Sequence, residues 1–210
     1  EAAMALAARF AAGVTVIVRV GAGAFVIGGS AGFSGASKLE IVGAGVGSTT
    51  INGIYASYGG TLYVSKCTIG DYGIQCFGGG SSVYGFDIGF SGADGLSHVH
   101  ASDGGVVQLG NYSVSAITSG GNHIFIGDAS RVVLAGTVTV LANLTIGSWI
   151  NADGPFAFCN AGCSFSLGAF SVTGPRYRTT QGSIIQTGGR GTSYLPGSTA
   201  GSVASGGQYL

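Results

Sequence analysis

The chain has 210 residues, 42 of them glycine; 46% are hydrophobic and only 8% charged, with eight basic side chains balancing eight acidic ones. That apolar fraction excludes a disordered chain, which is marked by low hydrophobicity and high net charge. The zero net charge supplies no general field for nucleic acid, anionic lipid or an acidic substrate, and abundant glycine without a Gly-X-Y period, beside three prolines, excludes both collagen and a flexible Pro/Gly linker.

In chain order, the alanine-rich stretch Glu1 to Ala12 reads as a short helix, a cap or a connector from an upstream domain. It lacks the basic leader and clean apolar run of a signal peptide. Short apolar segments then recur: Val14 to Val20, Ala24 to Ile27, Leu39 to Val42, Thr49 to Ile51, Thr61 to Val64, Cys67 to Ile69 and Ser82 to Phe86. The series continues with Val106 to Leu109, Tyr112 to Val114, His123 to Ile126, Arg131 to Leu134, Thr137 to Val140, Leu144 to Ile146, Phe156 to Phe158, Ser164 to Leu167 and Phe170 to Val172. Gly or Ser clusters separate nearly every pair. The uncharged run Val132 to Ala152 has the length of a membrane helix, but Gly136, Asn143, Gly147 and Asn151 interrupt it and β-branched residues alternate along it, so no membrane insertion is expected.

Strands this short cannot each bury a face alone and need an architecture in which each pairs with its equivalent one coil further on, about 4.8 Å away. The predicted fold is all-β, a right-handed parallel β-helix with coils of roughly 20–25 residues over 13–173, preceded by the helical cap at 1–12. Residues 174–210, whose one convincing apolar run is Ser183-Ile-Ile185, are expected as an extended C-terminal tail that gains burial on partner chains, or as a disordered linker. An antiparallel sandwich or barrel stays open if Gly28-Gly29, Gly59-Gly60 and Gly104-Gly105 close two-residue hairpins.

The densest titratable cluster is Asp94-Gly-Leu-Ser-His-Val-His-Ala-Ser-Asp103. His98 and His100, two apart, would share one face of a strand, and Asp87, Asp94 and Asp103 are the candidates for the paired carboxylates that glycoside hydrolysis needs. The alternative is that all five are polar face and corner residues. Sugars are held by aromatic faces, and Tyr55, Tyr58, Tyr72 and Tyr84 concentrate in the same half of the chain. Cys159 and Cys163 flank a turn that would let them form a disulfide or half a metal site, but no second ligand pair with metal spacing exists. Cys67 and Cys76 read as buried thiols, and neither a metal nor a cofactor is expected.

The phrase Lys38-Leu-Glu-Ile-Val-Gly-Ala-Gly-Val-Gly-Ser-Thr-Thr-Ile-Asn-Gly53 resembles the early-coil pattern of pectate-lyase-like β-helices. With Val14 to Phe25 before it, it is similar to the start of β-helical domains in bacteriophage tail fibres and tailspikes, and Gly174 to Leu210 resembles the terminal segment of phage and prophage tail proteins. The resemblance implies an extracellular virion component, a homotrimer working with other tail proteins, that attaches to a bacterial surface glycan. A tailspike enzyme that depolymerises host polysaccharide and a secreted bacterial β-helix adhesin are the alternatives. Basic residues are nearly absent between Lys66 and Arg131, which weighs against a lyase.

Overall fold

The computed structural model describes residues 15–25, 32–33, 38–92, 97–117 and 120–210. The helix expected over 1–12 lies outside them, as does Asp94; among the described residues there is no helix. Among the described residues twenty-four strands wind into a parallel β-solenoid. The first coils hold β1 (Thr15–Arg19), β2 (Gly23–Phe25) and β3 (Gly32–Phe33), then β4 (Lys38–Val42) and β5 (Thr49–Ser57), then β6 (Thr61–Ser65) and β7 (Thr68–Phe77). Next come β8 (Ser82–Phe86), β9 (Ile88–Phe90) and β10 (Ser97–Ser102), followed by β11 (Val106–Leu109), β12 (Tyr112–Val114) and β13 (Asn122–Ile126). Two coils carry a fourth short strand: β14 (Arg131–Leu134), β15 (Thr137–Val140), β16 (Leu144–Thr145) and β17 (Ser148–Ala152), then β18 (Phe158–Ala161), β19 (Ser164–Ser166), β20 (Val172–Thr173) and β21 (Tyr177–Thr179). β22 (Ile184–Gln186), β23 (Ser202–Val203) and β24 (Gln208–Tyr209) end the chain.

Every strand pairing among the described residues is parallel, which excludes the antiparallel sandwich. Three flat sides result. The first is a nine-stranded sheet in the order β1-β4-β6-β8-β11-β14-β18-β22-β24. The second comprises β2, the start of β5 and β7, β9, β12, β15 and β19; the third comprises β3, the ends of β5 and β7, then β10, β13, β17, β21 and β23. Thr15 pairs with Lys38, Lys38 with Thr61, Thr61 with Ser82 and Arg131 with Phe158, so on the first side a coil takes from 21 to 27 residues.

Alternation along each strand sends one residue in and the next out, and like side chains stack in the interior from coil to coil. On the first side Leu39, Leu62, Val83, Val107, Val132, Cys159 and Ile185 form one inward column. On the third, Ile54, Ile74, Val99, Ile124 and Ile150 form another. All twelve are buried, and each side chain of this size stabilises the fold by about 1.5–3 kcal/mol.

The Gly-Gly signals do mark tight turns, but turns between sides of one coil rather than between antiparallel strands. At the corner from third to first side, Tyr58-Gly59 have φ of 49° and 84°, and Asp103-Gly104 have 56° and 85°. The Gly60 amide donates to the Ser57 carbonyl and the Gly105 amide to Ser102, each at 3.1 Å. Two successive left-handed residues closed by that bond are the geometry that tight hairpins favour, here spent on a corner. Gly28-Gly29 lie outside the described residues.

Residues 174–210 do not stand off as a tail, because β21 to β24 continue the ladders: β22 pairs with β18, β23 with β21, and β24 with β22. Between β22 and β23 the chain crosses the end of the interior. Leu195 is buried there, Tyr194 packs on Phe165 with ring centroids 5.2 Å apart, and the Arg190 guanidinium donates to the Cys163 carbonyl at 2.7 Å. This plug covers the core side chains and backbone groups that the end of a solenoid would otherwise expose.

Candidate functional site

The three outward faces differ in chemistry. On the third side the outward column runs Tyr55, Gln75, His100, Phe125, Asn151 and Arg178. Gln75 turns aside to donate to the Tyr72 carbonyl at 3.4 Å, and Phe77, two residues on, fills the place beside it. Tyr55 and Phe77 have ring centroids 5.4 Å apart, Phe77 and His100 4.9 Å, and His100 and Phe125 4.8 Å. The four rings make a continuous half-exposed aromatic strip along the solenoid axis. Partial burial lowers the His100 pKa against the pull of the Asp103 charge, so its ring is neutral at pH 7 and adds stacking surface rather than charge.

The second side is lined with hydroxyls. Thr50, Thr68, Gly89, Ser113, Thr139 and Ser166 stack outward, and Val46, from the corner before β5, leans over Gly89, where a Cβ would come within 2.9 Å of it. Two adjoining depressions of about 430 and 450 Å³ share Val46 and Ser113. On the first side the outward residues are mixed: one column runs Glu40, Tyr63, Tyr84, Gln108, Val133, Asn160 and Gln186.

The predicted carboxylates do not converge. Asp87 sits at the corner between first and second sides, with its amide donating to the Asn111 carbonyl at 2.8 Å, whereas Asp103 sits at the corner between third and first. At least the length of β11, about 13 Å, separates them, beyond the roughly 5–10 Å that glycoside hydrolysis uses. Asp103 is stacked on Asp128 instead, one coil further on, where the Gly104 amide donates to the Asp128 carbonyl at 3.2 Å. Asp153, on the next coil, is occupied by Thr180 and Gln181. Among the described residues no three His, Cys, Asp or Glu are placed to hold a metal.

His98 and His100 lie on one strand, β10, but do not share a face. His98 leads in from the corner and is fully buried, whereas His100 is outside. In the core the His98 Nδ1 lies 2.8 Å from the His123 Nδ1, and the His123 Nε2 lies 3.1 Å from the Tyr112 hydroxyl. One Nδ1 must donate to the other, so the accepting ring is neutral, and burial, which lowers both pKa values, keeps the donating ring neutral too, in the opposite tautomer. Phe90 and Trp149 close around them, with Trp149 4.4 Å from His123. Burial pushes the His98 pKa down to about 4; the Ala116 and Gly92 carbonyls pull it up but leave Nε2 without a hydrogen-bond partner. Burial, and next the neighbouring His98, put His123 well below its ordinary value. This pair is structural, and no substrate reaches it.

The four tyrosines are dispersed. Tyr55 belongs to the aromatic strip; Tyr58 projects from a corner, 83% exposed; Tyr72 lies on the bend inside β7, 57% exposed. Tyr84 is on the first side, stacked on Tyr63 at 4.8 Å. Phe77 and Phe125 were not singled out in the sequence, although Phe125 falls one coil period after His100. Cys159 and Cys163 are free buried thiols, as are Cys67 and Cys76. Cys159 points inward from β18, between Val132 and Ile185, which commits it to core packing rather than to a disulfide. Comparison of the chain with protein-family models, curated proteins and solved structures finds no match.

Proposed function

We propose that this chain is a receptor-binding and structural part of a phage tail: a right-handed β-helix of the tail-fibre or tailspike type, working as a homotrimer, that attaches to bacterial surface glycan. The strip Tyr55-Phe77-His100-Phe125 carries the reading, because four contiguous rings on a flat, nearly uncharged side offer successive stacking platforms to a chain of sugar rings. The phrase at Lys38 to Gly53 and the terminal segment, both similar to tail proteins, supply the biological setting. The test is retention of purified lipopolysaccharides and capsular polysaccharides on the immobilised protein. Phe77→Ala and Phe125→Ala should each weaken retention about tenfold, on the scale of an aromatic pair, while Tyr84→Ala, on the first side and stacked on Tyr63, leaves it unchanged. Retention that survives loss of both phenylalanines would remove the strip from the reading.

A second reading, depolymerisation, is favoured by one observation: Asp103 and Asp128 occupy the same corner on successive coils, where the backbones are about 4.8 Å apart. Release of reducing ends from a retained polysaccharide, abolished by Asp128→Asn, would make the protein an enzyme.

A further inference from the structure

We propose that the aromatic strip selects glycans without acidic groups, because the coils that carry it are anionic. The inference rests on the glycan-binding reading above and narrows its ligand class. The chain is neutral as a whole, but between Lys66 and Arg131 it holds five aspartates, Asp71, Asp87, Asp94, Asp103 and Asp128, and no Lys or Arg. Phe77, His100 and Phe125 come from that same stretch. Charge of one sign gathered on a few coils makes a local field that the zero net charge conceals.

The side itself is nearly uncharged, and the carboxylates stand along its edges. Asp103 and Asp128 are exposed on successive rungs of the corner between third and first sides. Each comes three residues after a ring of the strip, Asp103 after His100 and Asp128 after Phe125, which is at most about 10 Å of extended backbone. The Ser102 hydroxyl donates to the Asp103 carboxylate at 3.3 Å, and Ser102 is the rung partner of Phe77. At Gly127, one residue before Asp128, a Cβ would come within 3.4 Å of the Phe125 ring, so that ring lies against the backbone leading to Asp128. Asp71, on the bend inside β7, borders the opposite edge. Among the described strands of this side the one Lys or Arg is Arg178, two rungs beyond Phe125. A uronic acid stacked on the rings therefore meets carboxylates within a Debye length, about 10 Å at 0.1 M salt, with no cation among the rings to offset them. A neutral sugar meets no such penalty. Rejection of a competitor by like charge confers specificity as attraction to the ligand does.

The test is retention, on the immobilised protein, of a panel of uronic-acid-containing capsular polysaccharides before and after carboxyl reduction. Reduction turns each uronic acid into the neutral hexose on an otherwise unchanged chain, and a chelator in the buffer keeps divalent cations from bridging two carboxylates. Reduced forms should be held, and native forms held at least about tenfold more weakly at about 0.01 M salt, on the scale of a unit-charge pair at a protein surface. At about 1 M salt, where the Debye length is about 3 Å, the gap should close. Asp103→Asn combined with Asp128→Asn should narrow the ratio at low salt, whereas Glu40→Gln on the first side leaves it where it was. Asparagine, like aspartate, tolerates the left-handed conformation of residue 103, φ 56°, so the double variant keeps its corner. Equal retention of native and reduced forms at low salt, or a ratio that the double variant does not move, would overturn the inference and leave the strip reading standing. Retention of no form of any polysaccharide in the panel would overturn the strip reading and this inference with it.

Discussion

Acid should unfold this protein through its inner histidines. The His98 and His123 rings, Nδ1 to Nδ1 at 2.8 Å, hold each other neutral between Phe90, Tyr112 and Trp149, and a proton added to either must be housed without water. In the unfolded chain each titrates near 6.5; in the fold burial lowers His98 to about 4 and places His123 well below its ordinary value. Between those limits the unfolded state binds more protons than the folded one. The stabilisation is therefore fully present above about pH 6.5 and is lost as the pH falls towards the folded values. For His98 the shift from 6.5 to about 4 corresponds to about 3 kcal/mol. Near pH 5 each histidine contributes a slope of about 1.4 kcal/mol per pH unit, the pair about 2.7. Urea unfolding at about pH 7, 6 and 5 measures this, read by the fluorescence of Trp149, the single tryptophan, which touches His123. His98→Gln should lower the slope near pH 5 by about 1.4 kcal/mol per pH unit, leaving the contributions of His123 and of His100, whose pKa burial also lowers, whatever it does to the absolute stability. Stability that is flat from pH 7 to 5, or a full slope in His98→Gln, would refute the reasoning.

A Cβ on Gly105 would lie 2.3 Å from the Cys76 carbonyl oxygen, a backbone atom of the neighbouring coil. Gly105→Ala should therefore cost about 1–3 kcal/mol and lower Tm by several degrees, while Gly79→Ala, with open space around it, leaves Tm nearly unchanged. Burial raises the thiol pKa of Cys67 to about 12 and those of Cys76 and Cys163 to about 11. No cysteine should therefore react with Ellman's reagent at neutral pH until the chain is denatured, when all four do; a fast-reacting thiol in the native protein would contradict their placement. Leu195→Asp buries a charge in the terminal plug, so limited proteolysis should cut first between Thr187 and Gly201, as mass spectrometry of the fragments would reveal.

Strands with β-branched alternation could be read directly: Ser82 to Phe86, Val106 to Leu109, Tyr112 to Val114, Arg131 to Leu134 and Thr137 to Val140 are strands with those same limits. The third side was largely illegible. Ser-His-Val-His-Ala-Ser and Ser-Trp-Ile-Asn-Ala are strands β10 and β17, but their polar residues hide the inward alternation, and no Gly/Ser cluster separates the second- and third-side parts of β5 and β7. The aromatic strip was half visible for a related reason. Tyr55 stands out locally, whereas its alignment with His100 and Phe125 depends on coil lengths that vary along this column, Tyr55 to Gln75 and Asn151 to Arg178 being its shortest and longest steps, which no local pattern fixes. His98 and His100 show the limit of strand alternation itself: beside a corner, the backbone turns a formally outward residue into the core.

The division of labour along the chain explains why the outer sides are where function must be sought. Folding is carried by the inward columns and by corners whose left-handed residues, such as Asp103 and Gly104, are required by backbone geometry. Outward positions on the flat sides bear on neither, so they can take any chemistry that a parallel strand tolerates. Because each outward residue is stacked on its equivalent about 4.8 Å away, chemistry on a side is expressed as a column, and a ligand or partner engages several rungs at once. Losing one rung then weakens binding by a fraction, as for multivalent contacts, whereas losing one inward residue disturbs the coils above and below it. Graded effects on binding with an unchanged Tm are accordingly the signature of a functional column, and a fall in Tm is the signature of a structural one.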